Sequence, residues 1–148
     1  MQRLRFSTHI NADPQTIWNA LWDEANYRDW TTVFSEDFTV KTDGWKEGTM
    51  VHFHDGKGSG MYSRITRHVP HQAMEFEHLG MLKDGVELPQ DEETKKWAGS
   101  KETYHLSSDG GRSELVVEVD VAEDHQESFD QAFPKALDRV KKIAENGK

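Results

Sequence analysis

Few side chains in this chain combine reactive types with a spacing that could bring them together. The histidine in "MEFEHLG", residues 74–80, is the first of them. Met74, Phe76 and His78 alternate with Glu75 and Glu77, so His78 shares the apolar face of a strand. A second titratable group, Glu102, sits in "KETYHLSS" on one face with Tyr104 and Leu106. A carboxylate on an inward face is costly unless it is paired or protonated. The two strands are neighbours in sequence and should pair antiparallel. A register that sums to 180 sets His78 opposite Glu102, Phe76 opposite Tyr104 and Met74 opposite Leu106. Such a pair is either a polar contact that only stabilises the sheet or a polar anchor at one end of an apolar cavity.

Other chemistry-bearing patterns are weaker. His52 and His54 form a His-x-His on one strand, a spacing that suits a metal. They alternate with apolar Val51 and Phe53, and the glutamate that a cupin site needs a few residues later is missing; Gly58 and Ser59 stand there. Both histidines are expected at solvent or a sheet edge, and no metal or cofactor is expected. His9, His68, His71, His105 and His125 have no ligand spacing and are expected in solvated positions. "DGKGSG" lacks the Walker spacing and the strand-to-helix context of a phosphate loop. No Ser-His-Asp or HExxH pattern is visible. The acidic run 91–93 fits a solvated helix N-terminus. Trp18 and Trp22, four apart, fit a helix packed on a sheet better than a stacking pair for a ligand.

The elements that must hold these groups follow from periodicity. Residues 2–10 alternate, with Leu4, Phe6, Thr8 and Ile10 on one face. Asp13 can cap a helix with Pro14 at its first position, and Asp23 can cap a second short helix running toward Trp30. Period two returns in 36–42, 49–55, 61–69, 72–80, 101–108 and 113–121. The expectation is seven strands, six of them consecutive in an antiparallel meander. The tail, with Phe129, Phe133, Leu137, Val140 and Ile143 at helical spacing, reads as one long helix, kinked at Pro134, with Asp124 and Glu127 as a capping box. Residues 81–100 read as a flap containing a short helix capped by Asp91, anchored by Trp97 and stopped by Gly99.

Bulk properties narrow the class. The chain has 148 residues, enough for one domain, 1–148, with its own core. Lys and Arg number 18 against 27 Asp and Glu, a formal charge of −9. An acidic chain without a basic cluster is a poor partner for nucleic acid or an anionic membrane. There is no cysteine, which excludes disulfides, thiolate catalysis and Cys-zinc sites. Neither a signal peptide nor an apolar run of membrane-spanning length is seen, so a soluble cytoplasmic protein is expected.

The order of strand, two short helices, six strands and one long helix, carried by "INADPQTIWNALWDEANYRDW", "GWKEGTMVHF", "GMYSRITRHVPHQAMEFEHLG", "WAGSKETYHL" and "FDQAFPKALDRVKKIAE", resembles the START/Bet v-like helix-grip superfamily (SRPBCC). Within it, the chain resembles the group named after activators of the 90-kDa heat-shock-protein ATPase. The resemblance implies an α+β fold: a curved seven-stranded antiparallel sheet wraps the C-terminal helix, with a hydrophobic cavity between them. It implies no particular reaction, since the superfamily includes lipid carriers, hormone receptors, cyclases and co-chaperone domains. On that frame Trp30 and Phe34 border the cavity mouth. Val51, Phe53, Met61, Ser63, Phe76, His78, Glu102 and Tyr104 would contribute from the sheet, Phe129 and Phe133 from the helix, and Trp97 from the flap. The expected function is non-catalytic binding of an apolar or amphipathic small molecule. The alternatives are a hydrolase- or cyclase-type enzyme using His78 and Glu102 as acid and base, and a co-chaperone-type interaction domain with a chaperone contact.

Overall fold

The computed structural model describes residues 2–34, 36–122 and 126–146. Strand β1 (Gln2–Ile10) leads into helix α1 (Pro14–Trp22) and helix α2 (Glu24–Trp30), which runs on into a single 3-10 turn at Thr31–Val33. Both helices start as their caps dictate. The Asp13 carboxylate accepts from Thr16 N at 2.8 Å, and Asp23 accepts from Ala25 N at 3.2 Å. Then come β2 (Thr39–Thr42), β3 (Met50–His54), β4 (Ser59–Val69), β5 (Ala73–Lys83), β6 (Val86–Glu87), α3 (Glu92–Lys95), β7 (Lys101–Asp109), β8 (Arg112–Val121) and α4 (Gln126–Asn146). Phe38, read as part of the second strand, precedes it. The proposed cap at Asp124, and His125, lie outside the described residues.

The sheet runs β1-β8-β7-β5-β4-β3-β2, antiparallel throughout, with β6 attached to β5 alone. These are the seven expected strands plus one two-residue addition. Six consecutive strands meander, and β1 closes the far edge against β8. Two bulges interrupt the β4–β5 ladder, at Leu79 and at Thr66, where one strand carries a residue the other lacks. Helix α4 packs on β1 and α1 through Phe133, Ala136, Leu137, Val140 and Ala144. It continues helically through Pro134, which lies on its exposed side.

The core is rich in rings. Trp22 meets Tyr104 at 5.0 Å, Trp45 at 5.1 Å and Phe76 at 5.7 Å between centroids. Trp18 and Trp22 are therefore packing residues, as their spacing suggested. Trp18 also stacks on His68, with His71 edge-on to it, so these two histidines are not simply solvated. Burial holds the His68 imidazole below its ordinary pKa, against a smaller upward pull from Glu47.

Segment 81–100 is more ordered than a loose flap. Asp84 and Gly85, both at positive φ, make a two-residue turn that pairs Lys83 with Val86. The hairpin folds over the outer face of the sheet. There the Tyr62 hydroxyl donates to Leu88 O at 3.1 Å, and His52 Nε2 lies 2.7 Å from Glu87 Oε2. His52 is thus on the outer face, with a carboxylate partner. The Tyr62 ring fits because residue 80 is glycine: a Cβ there would lie 2.5 Å from that ring. The second half of the segment turns inward. Asp91 caps α3, accepting from Thr94 N at 2.8 Å, and Gly99 at φ +91° carries the chain into β7.

Candidate functional site

The inward side chains of β5 and β7 meet two residues out of the expected register. Phe76 stands opposite Glu102 and Met74 opposite Tyr104. His78 faces Ser100, donating through its backbone N–H to Ser100 O at 2.9 Å while its own carbonyl accepts from Gly99 N at 2.8 Å. A slip of two keeps every side chain on its face, because the strand period is two. His78 and Glu102 are therefore diagonal neighbours rather than directly opposed, and they still touch: His78 Nε2 lies 3.3 Å from Glu102 Oε1.

Each end of this pair is held in turn. Ser63, the β4 partner of His78, sets its Oγ 2.7 Å from Nδ1. Tyr104 follows Glu102 by two on the same face, and its hydroxyl donates to Glu102 Oε2. The result is a continuous polar line, Ser63–His78–Glu102–Tyr104, across three strands. Burial, then the nearby Glu102 charge, holds the Tyr104 and Tyr27 phenols well above the ordinary tyrosine pKa. Both rings stay neutral at physiological pH, and Tyr104 acts as a donor.

Ser63, His78 and Glu102 have the composition of a hydrolytic triad, which was not visible as a motif because its members come from different strands. Their exposure argues against that chemistry. Ser63 is fully buried, at 0% exposure, and does not line the cavity, so its hydroxyl orients the imidazole and cannot meet a substrate carbonyl.

A cavity of about 760 Å³ opens beside this line. Its floor is Phe53, Met61, His78, Glu102 and Tyr104 from the sheet, with Val119, Asp120 and Val121 from the end of β8. One wall is Tyr27, Trp30, Thr31, Val33 and Phe34, joined by Phe38. The other is the first half of α4, where Phe129 and Phe133 stand 6.5 Å and 5.0 Å from the Phe34 ring. Met81, Trp97 and Ser100 complete the rim with Gln131 and Lys135. Trp97 is half-buried and is not part of the main apolar core.

Of the residues expected to line the cavity, Trp30, Phe34, Phe53, Met61, His78, Trp97, Glu102, Tyr104, Phe129 and Phe133 do so. Val51, Ser63 and Phe76 do not. Val51 is sealed in the core, and Phe76 is enclosed by Trp22, Trp45, Phe53 and Tyr104. These rings fill the sheet beneath α1, and the cavity lies beside the first half of α4. Tyr27, Phe38, Met81, Val119 and Asp120 line it without having been singled out. Val119 was legible as an inward residue of the last strand. Met81 was not: three positions from His78 it has the wrong parity, and only the bulge at Leu79 restores it to the cavity side.

Among the described residues no three His, Asp or Glu side chains converge to hold a metal ion. Among the described residues no helix is long and apolar enough to cross a membrane.

No protein-family profile matches the chain, and no curated protein sequence does. Solved structures do match. The solution structure of the Aha1 dimer from Colwellia psychrerythraea superposes with a TM-score of 0.73 at 18% identity, over 100% of this chain and 99% of that one. DynU16, from the dynemicin biosynthetic locus, gives 0.72 at 14% identity; it is matched over 100% of this chain, which spans 49% of DynU16. CalU16 from Micromonospora echinospora gives 0.66 at 16% identity, over 98% of this chain and 77% of that one. At these identities the likeness is one of fold. With its meandering antiparallel sheet, two short helices after the first strand and long C-terminal helix, the chain has an α+β helix-grip fold, the architecture it shares with these solved structures.

Proposed function

We propose that this protein binds an apolar or amphipathic small molecule in the cavity between the sheet and α4, with His78 and Glu102 as its polar anchor and without chemical turnover. The observation that carries this is the cavity itself: about 760 Å³, walled by rings, with one convergent polar set at its floor. Sites for small ligands have this make-up, mostly apolar with a few fixed polar groups. The burial of Ser63 supports binding over covalent catalysis, since the hydroxyl bonded to His78 is out of a ligand's reach.

The test is titration with the neutral dye N-phenyl-1-naphthylamine, alongside native mass spectrometry of gently purified protein. Saturable uptake of one dye per chain, weakened by Phe53→Ala, is expected. Absence of dye binding, together with a bare protein mass, overturns the proposal. A second reading rests on the same polar line: His78, held by Ser63, could move a proton on a bound substrate, with Glu102 as its partner. Turnover that survives both His78→Ala and Glu102→Gln excludes it. The co-chaperone reading draws on the sequence resemblance and on likeness in fold to the Aha1 dimer, and is tested by stimulation of a chaperone ATPase.

A further inference from the structure

One carboxylate on the cavity floor has neither a Lys nor an Arg partner among the described residues, and this bears on the kind of head group the cavity takes. Besides the neutral phenols of Tyr27 and Tyr104, four titratable or charged residues line it: His78, Glu102, Asp120 and Lys135. Asp120 is already satisfied, by Arg3 Nε at 2.9 Å and by Lys101 N at 3.0 Å. Lys135 is exposed on α4, where water screens it. Glu102 is different. Among the described residues its partners are His78 Nε2 and the Tyr104 hydroxyl, one to each oxygen, and neither Lys nor Arg reaches it. A carboxylate offers about four acceptor positions. One is taken by the Tyr104 hydroxyl and His78 Nε2 stands close to the other oxygen, and the side chain remains partly exposed, 23%, toward the cavity.

We propose that the ligand of this cavity is a cationic amphiphile, an amine-headed molecule whose ammonium group sits on Glu102 with its apolar body against the rings. The proposal rests on the reading of the cavity as a ligand site. An ammonium donates charge-assisted hydrogen bonds to the free lone pairs of the carboxylate. The rings of Trp30, Phe53 and Tyr104 line the cavity, and an aromatic ring attracts a cation placed over its face. An anionic amphiphile could place its head at Lys135, but its tail would then strip water from Glu102 and return nothing, which is the costly way to bury a carboxylate. A neutral alcohol lies between the two, offering one donor and no charge.

Three ligands with one tail separate these cases: decylamine, decan-1-ol and decanoate, each competing with N-phenyl-1-naphthylamine at neutral pH. Decylamine is expected to bind at least about tenfold more tightly than decanol, and decanoate more weakly than decanol. The order should persist in about 0.5 M NaCl, which screens the general pull of an acidic surface on cations but not a contact inside the cavity. Glu102→Gln should erase the amine preference while decanol still binds, and Lys135→Ala should leave the order as it was. Decanol or decanoate equalling decylamine in the unaltered protein overturns the proposal without any variant, and so does an amine preference that survives Glu102→Gln. If the dye and decanol both fail to bind, the cavity reading falls and this one with it. If they bind and only the preference is missing, the cavity reading stands and the charge argument alone is wrong.

Discussion

Trp97 and Trp30 both line the cavity, yet they should respond oppositely to truncation. Trp30 is 2% exposed and its indole N–H donates to Leu21 O at 3.0 Å. Trp30→Ala should cost the ~3–5 kcal/mol of a core tryptophan, with about 1 kcal/mol of that from the lost hydrogen bond. Trp97 is half-buried, makes no ring contact with the core aromatics among the described residues, and follows a four-residue helix. A buried aromatic covers roughly 150–250 Å²; half of that at about 25 cal/mol per Å² is about 2.5 kcal/mol. That is an upper bound, because the unfolded chain already hides some of the ring. Trp97→Ala should therefore cost about 1–2 kcal/mol in urea unfolding. Dye release should be affected more. With the rim ring gone, the off-rate of N-phenyl-1-naphthylamine in stopped flow should rise about tenfold, since affinity changes in related complexes reside mainly in dissociation. A Trp97→Ala variant that loses as much stability as Trp30→Ala while releasing dye at the unaltered rate would refute this. Trp97 would then be core, and the rim would open elsewhere.

Ser63→Ala removes the hydroxyl that meets His78 Nδ1 in a fully buried position and should cost about 1–3 kcal/mol of stability. The His78 ring proton resonances should shift as its orientation loosens; an unchanged spectrum would count against Ser63 as the orienting group. Gly60→Ala places a Cβ 1.9 Å from the Phe53 carbonyl oxygen, whereas Gly80→Ala meets the Tyr62 ring at 2.5 Å. Backbone cannot step aside as a side chain can, so thermal melts should show Gly60→Ala as the worse of the two, beyond the ~1–3 kcal/mol of ordinary overpacking. Asp120 supplies an acid-side prediction. Burial raises its pKa, but the hydrogen bonds from Arg3 and Lys101 N together with the positive charge of Arg3 act the other way, and the net effect is a pKa below the usual carboxylate range. A lowered folded pKa gives stability that is full above the unfolded value of about 3.9 and is lost as pH falls through the folded one. Asp120→Asn should thus flatten the loss of stability below about pH 4; urea midpoints that fall as steeply as in the unaltered protein would contradict this.

Much of this protein follows from local pattern. Period-two alternation and the caps Asp13, Asp23 and Asp91 act within a few residues, so strands, short helices and their starts are decided by chemistry close at hand. The association of His78 with Glu102 was equally legible, because parity alone puts them on one face. Their actual register was not. A shift of two preserves every inward side chain, and the choice fell to the pairing of His78 with Ser100 at the end of the 81–100 segment. The hairpin at Asp84–Gly85 was not read from the sequence, where 81–100 stood as a flap: the bulge at Leu79 reverses the phase of the strand before it. Only the tertiary structure separated cavity from core. Val51, Phe53 and Phe76 are all inward apolar residues of one sheet, with nothing local to distinguish them. Phe76 is buried because Trp22 and Trp45 arrive over it, while Phe53 looks into space because Phe34, Phe129 and Phe133 pack on one another at the far wall. Which inward residues face one another across a void is a property of how helices cover a sheet, and that depends on contacts between residues far apart in the chain.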